Sequence, residues 1–311
     1  MIIRKAEESD TESIIELLKV SLGENLLPKS IDFWKWKHQE NPFGKSPVVL
    51  AEDNGKVIGV RAFLRWEFSQ GNKLIPCGRA VDTAVHPAHQ GKGIFTKLTK
   101  TLLEEVKKEG FDLIYNTPNP QSLPGYLKMG WKKWGRLPLK IQLHFPKPWS
   151  NSPLINFDWS EARSLIQEIE TASNPSFMAQ SRIKPGYIHW RYENCPVVNY
   201  SFISDFKSYL LIFRIKEGKW GRELRICDLF CGVNFDKVAK RALNRQFKEL
   251  VISEKIRFSS FSGLNSKSEN LNLGLLPVLP LGPLVTLNQL NKDLNCAKID
   301  WNWSLGDLEL F

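Results

Sequence analysis

The chain has no apolar run approaching the roughly 20 residues that a membrane-spanning helix needs. Its first ten residues, MIIRKAEESD, are charged where a secretory leader would be apolar, so a cytoplasmic location is expected. Cysteine is sparse and odd in number: Cys77, Cys195, Cys227, Cys231 and Cys296 make five. They fall mostly inside apolar runs, which argues against a disulfide framework and for reduced core residues. Cys227 and Cys231 have no neighbouring His or Cys to complete a ligand set, and no metal is expected. A basic stripe interleaved with aromatics is missing too. The formal charge of +10 divides into 23 basic against 16 acidic residues up to position 150, and 20 against 17 after it. Such a surplus attracts phosphates over a distance without outlining a nucleic-acid surface, so neither nucleic acid nor membrane is an expected partner.

What is present fits two domains of ordinary size. Residues 2–5 read as a strand. Ser9 or Asp10 can cap a helix whose apolar positions Ile14, Ile15, Leu17, Leu18 and Leu22 recur at helical spacing until Gly23 ends it. After the aromatic-rich IDFWKWKHQENPFG (31–44) come three strand-like runs, the first two joined by an Asp-Asn-Gly hairpin signal. A helix from 94 to 109 follows, then the strand FDLIY, a short helix and a last strand pair beginning at Trp131. The order is β-α-(α)-β-β-β-α-β-α-β.

Between the third strand and the long helix lies VHPAHQGKGIFTKL, residues 85–98. Glycine at 91 and 93 permits positive φ, which turns main-chain N–H groups inward, and the helix adds its unpaired N–H groups and positive dipole end. Such a place suits phosphate. Alone, it is a weak signal, equally an ordinary strand-to-helix turn.

A second motif strengthens it. The run Gln90-Gly91-Lys92-Gly93-Ile94-Phe95, preceded by Val85-His86-Pro87, resembles the Q/R-x-x-G-x-G/A loop of the Gcn5-related N-acetyltransferase (GNAT) superfamily. Asn119, Tyr126, Gly130 and Trp131 match its N-x(6)-Y-x(3)-G-[FW] signature. The wording HPAHQGKGIFTKL, PNPQS and NPFG is most similar to the bacterial branch whose members carry a second half. Two departures stand out. Phe95 replaces a small residue, so its ring must turn from the diphosphate or the loop must sit slightly differently; Pro124 and Gly125 shorten or break the helix that carries Tyr126.

The resemblance implies acetyl-CoA as acyl donor, with Thr83, Val85, Gln90, Gly91, Lys92, Gly93, Ile94, Phe95 and Asn119 as its contacts. It implies Tyr126 as the general acid toward the departing thiolate. Asp82 is the candidate for taking the ammonium proton, with His86, His89 and Glu52 behind it. The acceptor is expected to be the primary amine of a small molecule such as an amino sugar, with Trp34 and Trp36 as a platform or, equally, as core aromatics. Tandem halves of this kind also occur in aminoacyl-tRNA-dependent ligases, which lack a coenzyme A loop, and a non-catalytic acyl-CoA sensor is the remaining alternative.

The second half echoes the first. WKHQENP (36–42) aligns without gaps on WRYENCP (190–196), an offset of 154. GRAVDTAV (78–85) faces LRICDLFC (224–231), setting Asp82 against Asp228, and KMGWKKW (128–134) faces NLGLLPV (272–278) through Gly130 and Gly274. Three matches in one order indicate duplication. The copy lacks the glycine loop, reading GVNFDKVAKRALNRQF at that point. The expected architecture is α/β (α+β): two tandem GNAT-like folds, each a mixed, mostly antiparallel twisted sheet flanked by helices. The expected domains are an acetyl-CoA-binding one over 1–145 and a degenerate one over 154–311, joined by the Pro- and Ser-rich FPKPWSNSP and forming a monomer of pseudo-twofold halves or a homodimer.

Overall fold

The computed structural model describes residues 1–23, 27–145, 158–172, 176–263, 271 and 279–308. The expected linker, apart from Phe145, and the Gly274 match lie outside the described residues.

The first half follows the expected order: β1 (Ile2–Lys5), α1 (Thr11–Leu22), α2 (Ile31–His38), β2 (Val48–Asp53), β3 (Lys56–Gln70), β4 (Lys73–Val85), α3 (Ile94–Lys108), β5 (Leu113–Asn116), α4 (Leu123–Lys128), β6 (Lys132–Arg136) and β7 (Leu139–Leu143). Asn54 and Gly55, both with positive φ, close the β2–β3 hairpin as the Asp-Asn-Gly signal requires. Successive side chains of a strand face opposite ways, which splits the packing. Leu50, Val60 and Ala62 meet α1, whereas Val49, Ala51 and Phe63 meet α3.

The second half contains α5 (Arg163–Thr171), β8 (Gln180–Ser181), a π-helical turn (His189–Glu193), β9 (Ser201–Ser204), β10 (Tyr209–Gly218), β11 (Gly221–Cys231), α6 (Lys237–Ser253), β12 (Phe258–Ser262), β13 (Leu284–Gln289) and α7 (Leu305–Leu308). One sheet runs β1-β2-β3-β4-β5-β13-β6, with β8 added to the end of β3, and the other runs β7-β12-β11-β10-β9. The halves therefore exchange strands. β13 lies antiparallel to β5 and β6 in the first sheet, and β7 lies antiparallel to β12 in the second. The strand pair expected after Trp131 is divided: Pro138, which has no N–H for a ladder, separates β6 from β7, and each joins a different sheet.

The two sheets share one core. Trp36 stacks on Trp190, Trp66 and Tyr187 meet Trp190, and Tyr192, Trp301 and Trp303 belong to the same buried cluster. Cys77, Cys195, Cys227 and Cys296 are buried.

Candidate active site

The site begins where a sheet comes apart. β4 and β5 pair in parallel only from Cys77–Leu113 to Arg79–Tyr115. Beyond that point Ala80 to Val85 line one wall of a cleft of ≈ 520 Å³, faced by Phe95, Asn119, Gln121, Ser122, Gly125 and Tyr126. The cause of the splay is a bulge. Across β3 and β4, Arg61 pairs with Thr83 and Ala62 with Val81, leaving Asp82 unopposed at a φ of 41°. An extra residue on one strand bends it and strengthens its twist.

Asp82 is held in that conformation by α2. Both Lys37 Nζ and His38 Nε2 lie 2.9 Å from its Oδ2, and all three residues are nearly or fully buried. Burial by itself would push the Asp82 carboxyl up; the Lys37 ammonium, with His38 adding to it, overcomes this and holds it far below the usual carboxylate range. Burial pushes His38 below its ordinary value against the opposing pull of Asp82, which leaves the imidazole neutral. A neutral His38 donates its Nε2 proton to Asp82.

Tyr126 sits on the short α4, which accommodates Pro124 because it falls in the first turn, where no N–H is needed. Its hydroxyl accepts a hydrogen bond of 2.8 Å from Arg61 Nη1, which also donates to Thr83 Oγ1. Phe95 meets the Tyr126 ring edge-on at 5.7 Å and packs over Gly125, where a Cβ would come within 3.3 Å of the Phe ring. The two departures from the family pattern thus fit each other, a large residue at 95 against a glycine at 125. Asn119 accepts from the Ser122 amide at 2.8 Å and shapes the far lip.

The glycine loop has the backbone its sequence calls for. Gly91 and Gly93 both have φ of 74°, Gly93 occupies the N-cap of α3, and no side chain caps that helix. Gln90 donates to the Val85 carbonyl at 3.1 Å, tying the loop to the end of β4. Lys92 is exposed and Ile94 is buried beneath the loop. The corresponding end of α6 differs. There the Asp236 carboxylate accepts from the Val238 and Ala239 amides at 2.8 Å, filling the place an anion would take.

Six of the residues singled out by sequence therefore share the cleft: Asp82, Thr83, Val85, Phe95, Asn119 and Tyr126. Trp36 is elsewhere, stacked on Trp190 in the core, and Trp34 is buried with its ring 4.1 Å from that of His38. Glu52 is bound to Arg4 across β1 and β2, and His86 Nδ1 accepts from the Ala88 amide. Arg61, Lys37 and His38 were not anticipated. A charged residue inside the apolar run KVIGVRAFL was the available signal for Arg61.

A split sheet, a bulged strand and an uncapped helix behind a glycine loop together make up the candidate site. A family model described as an acetyltransferase (GNAT) domain matches residues 2–134, so the first half of the chain is similar to that family. Over 64 residues it is 38% identical to the L-methionine sulfoximine/L-methionine sulfone acetyltransferase of Salmonella typhimurium, covering 21% of this chain and 36% of that protein. Over 66 residues it is 36% identical to the L-amino acid N-acyltransferase MnaT of Escherichia coli, covering again 21% and 36%. The chain thus spans about a third of the length of these curated relatives. A GCN5-related N-acetyltransferase of Anabaena variabilis aligns over 93% of this chain and 73% of its own, with a TM-score of 0.66 at 15% identity, a likeness of fold that takes in both halves. Among the described residues no helix is long and apolar enough to cross a membrane, and no group of three or more His, Cys, Asp or Glu could hold a metal.

Proposed function

We propose that the protein transfers an acetyl group from acetyl-CoA to the primary amine of a small molecule, and that its first half alone binds the donor. The observation that carries this is the contrast between the two helix starts: α3 opens uncapped behind two glycines of positive φ, whereas α6 is closed by Asp236. Coenzyme A supplies an activated acyl thioester, and its diphosphate is a good match for the amides of Gly91 to Phe95. The edge of β4 from Ala80 to Val85, unpaired with β5, offers main-chain groups to an extended arm and an N–H to polarise a carbonyl. Tyr126 is suited to protonate the departing sulfur. Asp82, already bound to Lys37 and His38, serves better to fix the bulge than to collect a proton, which leaves water to take the proton from the amine.

The names of the curated relatives put amino-acid amines first as acceptors and amino sugars second. An aminoacyl-tRNA-dependent reaction is disfavoured by the intact loop, since such an enzyme has no use for an amide cradle at Gly91 and Gly93. Calorimetry of the full chain with acetyl-CoA, followed by thiol release over a panel of L-amino acids and amino sugars, tests the proposal. One site per chain and release that depends on a particular amine are expected. Binding without release for any amine would identify a sensor, and no binding would overturn the proposal.

A further inference from the structure

Arg61 lies in the middle of β3 with 0% of its surface exposed, and no carboxylate among the described residues meets it. Its Nη1 donates to the hydroxyls of Tyr126 and Thr83, both on the cleft wall, while Nε and Nη2 are buried without hydrogen-bond partners. The guanidinium carbon is 4.8 Å from the Phe63 ring centre, 5.3 Å from that of Tyr126 and 5.7 Å from that of Phe95. An arginine placed for stability pairs with a carboxylate or fills its donors with carbonyls, because a buried unpaired charge is costly. Here the charge rests among three aromatic faces, and Nη1 serves two neutral hydroxyl oxygens, those of Thr83 and Tyr126.

We infer that Arg61 is a positioning residue for Tyr126, directing the phenol proton into the cleft and holding the oxygen while that proton is away. The inference rests on the N-acyltransfer proposed above. A phenol oxygen offers lone pairs and one O–H. Arg61 occupies one acceptor position, and Phe95 packs edge-on against the ring, so the O–H is left to donate on the cleft side. During transfer the amine nitrogen bonds to the acyl carbon, the C–S bond breaks and its electron pair stays on sulfur. Tyr126 gives its proton to that sulfur; water takes the surplus proton of the amine and returns one to Tyr126. A guanidinium stays protonated throughout and cannot be the acid, so whatever Arg61 contributes passes through the phenol.

A double-mutant cycle makes that dependence measurable. Arg61→Met and Arg61→Lys are each made with Tyr or Phe at position 126, and single-turnover rates are measured with acetyl-CoA and an amine the native protein accepts. Acetyl-CoA affinity and thermal midpoints are recorded alongside. With Tyr126 present, Arg61→Met should lower the rate about 10–100-fold with acetyl-CoA affinity within about twofold, and Arg61→Lys should recover part of the loss. With Phe at 126, the Arg61→Met change should alter the residual rate by less than about twofold. Equal losses in the two backgrounds, or none in either, would overturn the inference while leaving the proposed function standing. If Arg61→Met does not fold, the Arg61→Lys arm carries the same comparison. A native protein that releases no thiol with any amine overturns the proposed function and this inference together.

Discussion

Trp36 and Trp190 hydrogen-bond each other twice, each indole N–H donating to the other's carbonyl at 2.7 Å, and their rings stack 5.0 Å apart at 19°. Two residues 154 positions apart thus stand in equivalent places about a pseudo-twofold axis. The equivalence extends two residues further along each segment. His38 meets Asp82 at 2.9 Å, and Tyr192 donates to Asp228 at 3.0 Å. Replacing either tryptophan by Phe leaves one buried carbonyl without its donor, which should cost about 1–3 kcal/mol beyond the lost packing. Urea unfolding of Trp36→Phe and Trp190→Phe should give similar losses in a single transition. Two separated transitions would mean that the halves unfold independently.

The exchanged strands make a stronger demand. Residues 1–145 without the rest lack β13, which lies between β5 and β6, and their β7 lacks β12. That fragment exposes unpaired strand edges of the kind that aggregate. It should be insoluble or fail to unfold cooperatively, and co-expression with residues 146–311 should rescue it. A soluble, cooperatively folded fragment with native activity would show that the exchange is dispensable.

Acid should loosen the bulge in two stages, both with the same sign. The buried neutral His38 has a lowered pKa, so the unfolded chain binds a proton first, and stability falls as pH drops below about 6.5 toward the folded value. Asp82, also lowered, contributes stability that is fully present above about 4 and is lost as pH falls through its folded value, lower still. His38→Gln, if it folds, should flatten the dependence that begins below about pH 6.5 while leaving the acid limb below about 4. Denaturant midpoints across that range give the comparison; an unchanged slope would remove His38 from this account. Lys37→Met would strand a buried carboxylate and should cost about 3–5 kcal/mol.

Donor binding should depend on the backbone of the loop more than on its charge. At Gly93 a Cβ would meet nothing within 4 Å, so the glycine answers to φ and not to space. A β-branched residue resists that region by about 1–3 kcal/mol. Gly93→Val should therefore weaken acetyl-CoA about tenfold or more by calorimetry, whereas Lys92→Ala should cost only a fewfold. Unchanged affinity in a folded Gly93→Val variant would place the diphosphate elsewhere.

Much of this was legible in the sequence because it is local. Helical spacing, the Asp-Asn-Gly turn and the two loop glycines each specify conformation within a few residues, and the Trp36–Trp190 repeat was visible as an ungapped match. Pairing across the halves was not, since the strand-forming character of LKIQL or LVTLNQ does not name the sheet each joins. The bulges show a subtler limit. Cys227 is the unopposed residue of β11, as Asp82 is of β4, so the aligned Asp82 and Asp228 differ by one position in strand register yet reach equivalent partners. Arg61 escaped notice because its contact with Tyr126, 65 residues away, depends on that bulge and on the seating of α4.

Single-turnover kinetics of Tyr126→Phe test most directly whether this cleft performs acyl transfer with Tyr126 as its acid. The substitution keeps the ring that packs on Phe95 and Trp131 and removes only the hydroxyl that faces Arg61. The rate of amine-dependent thiol release should fall by about 10²–10⁴-fold, with acetyl-CoA affinity and thermal midpoint nearly unchanged. Native rates in a stably folded Tyr126→Phe protein would contradict the account.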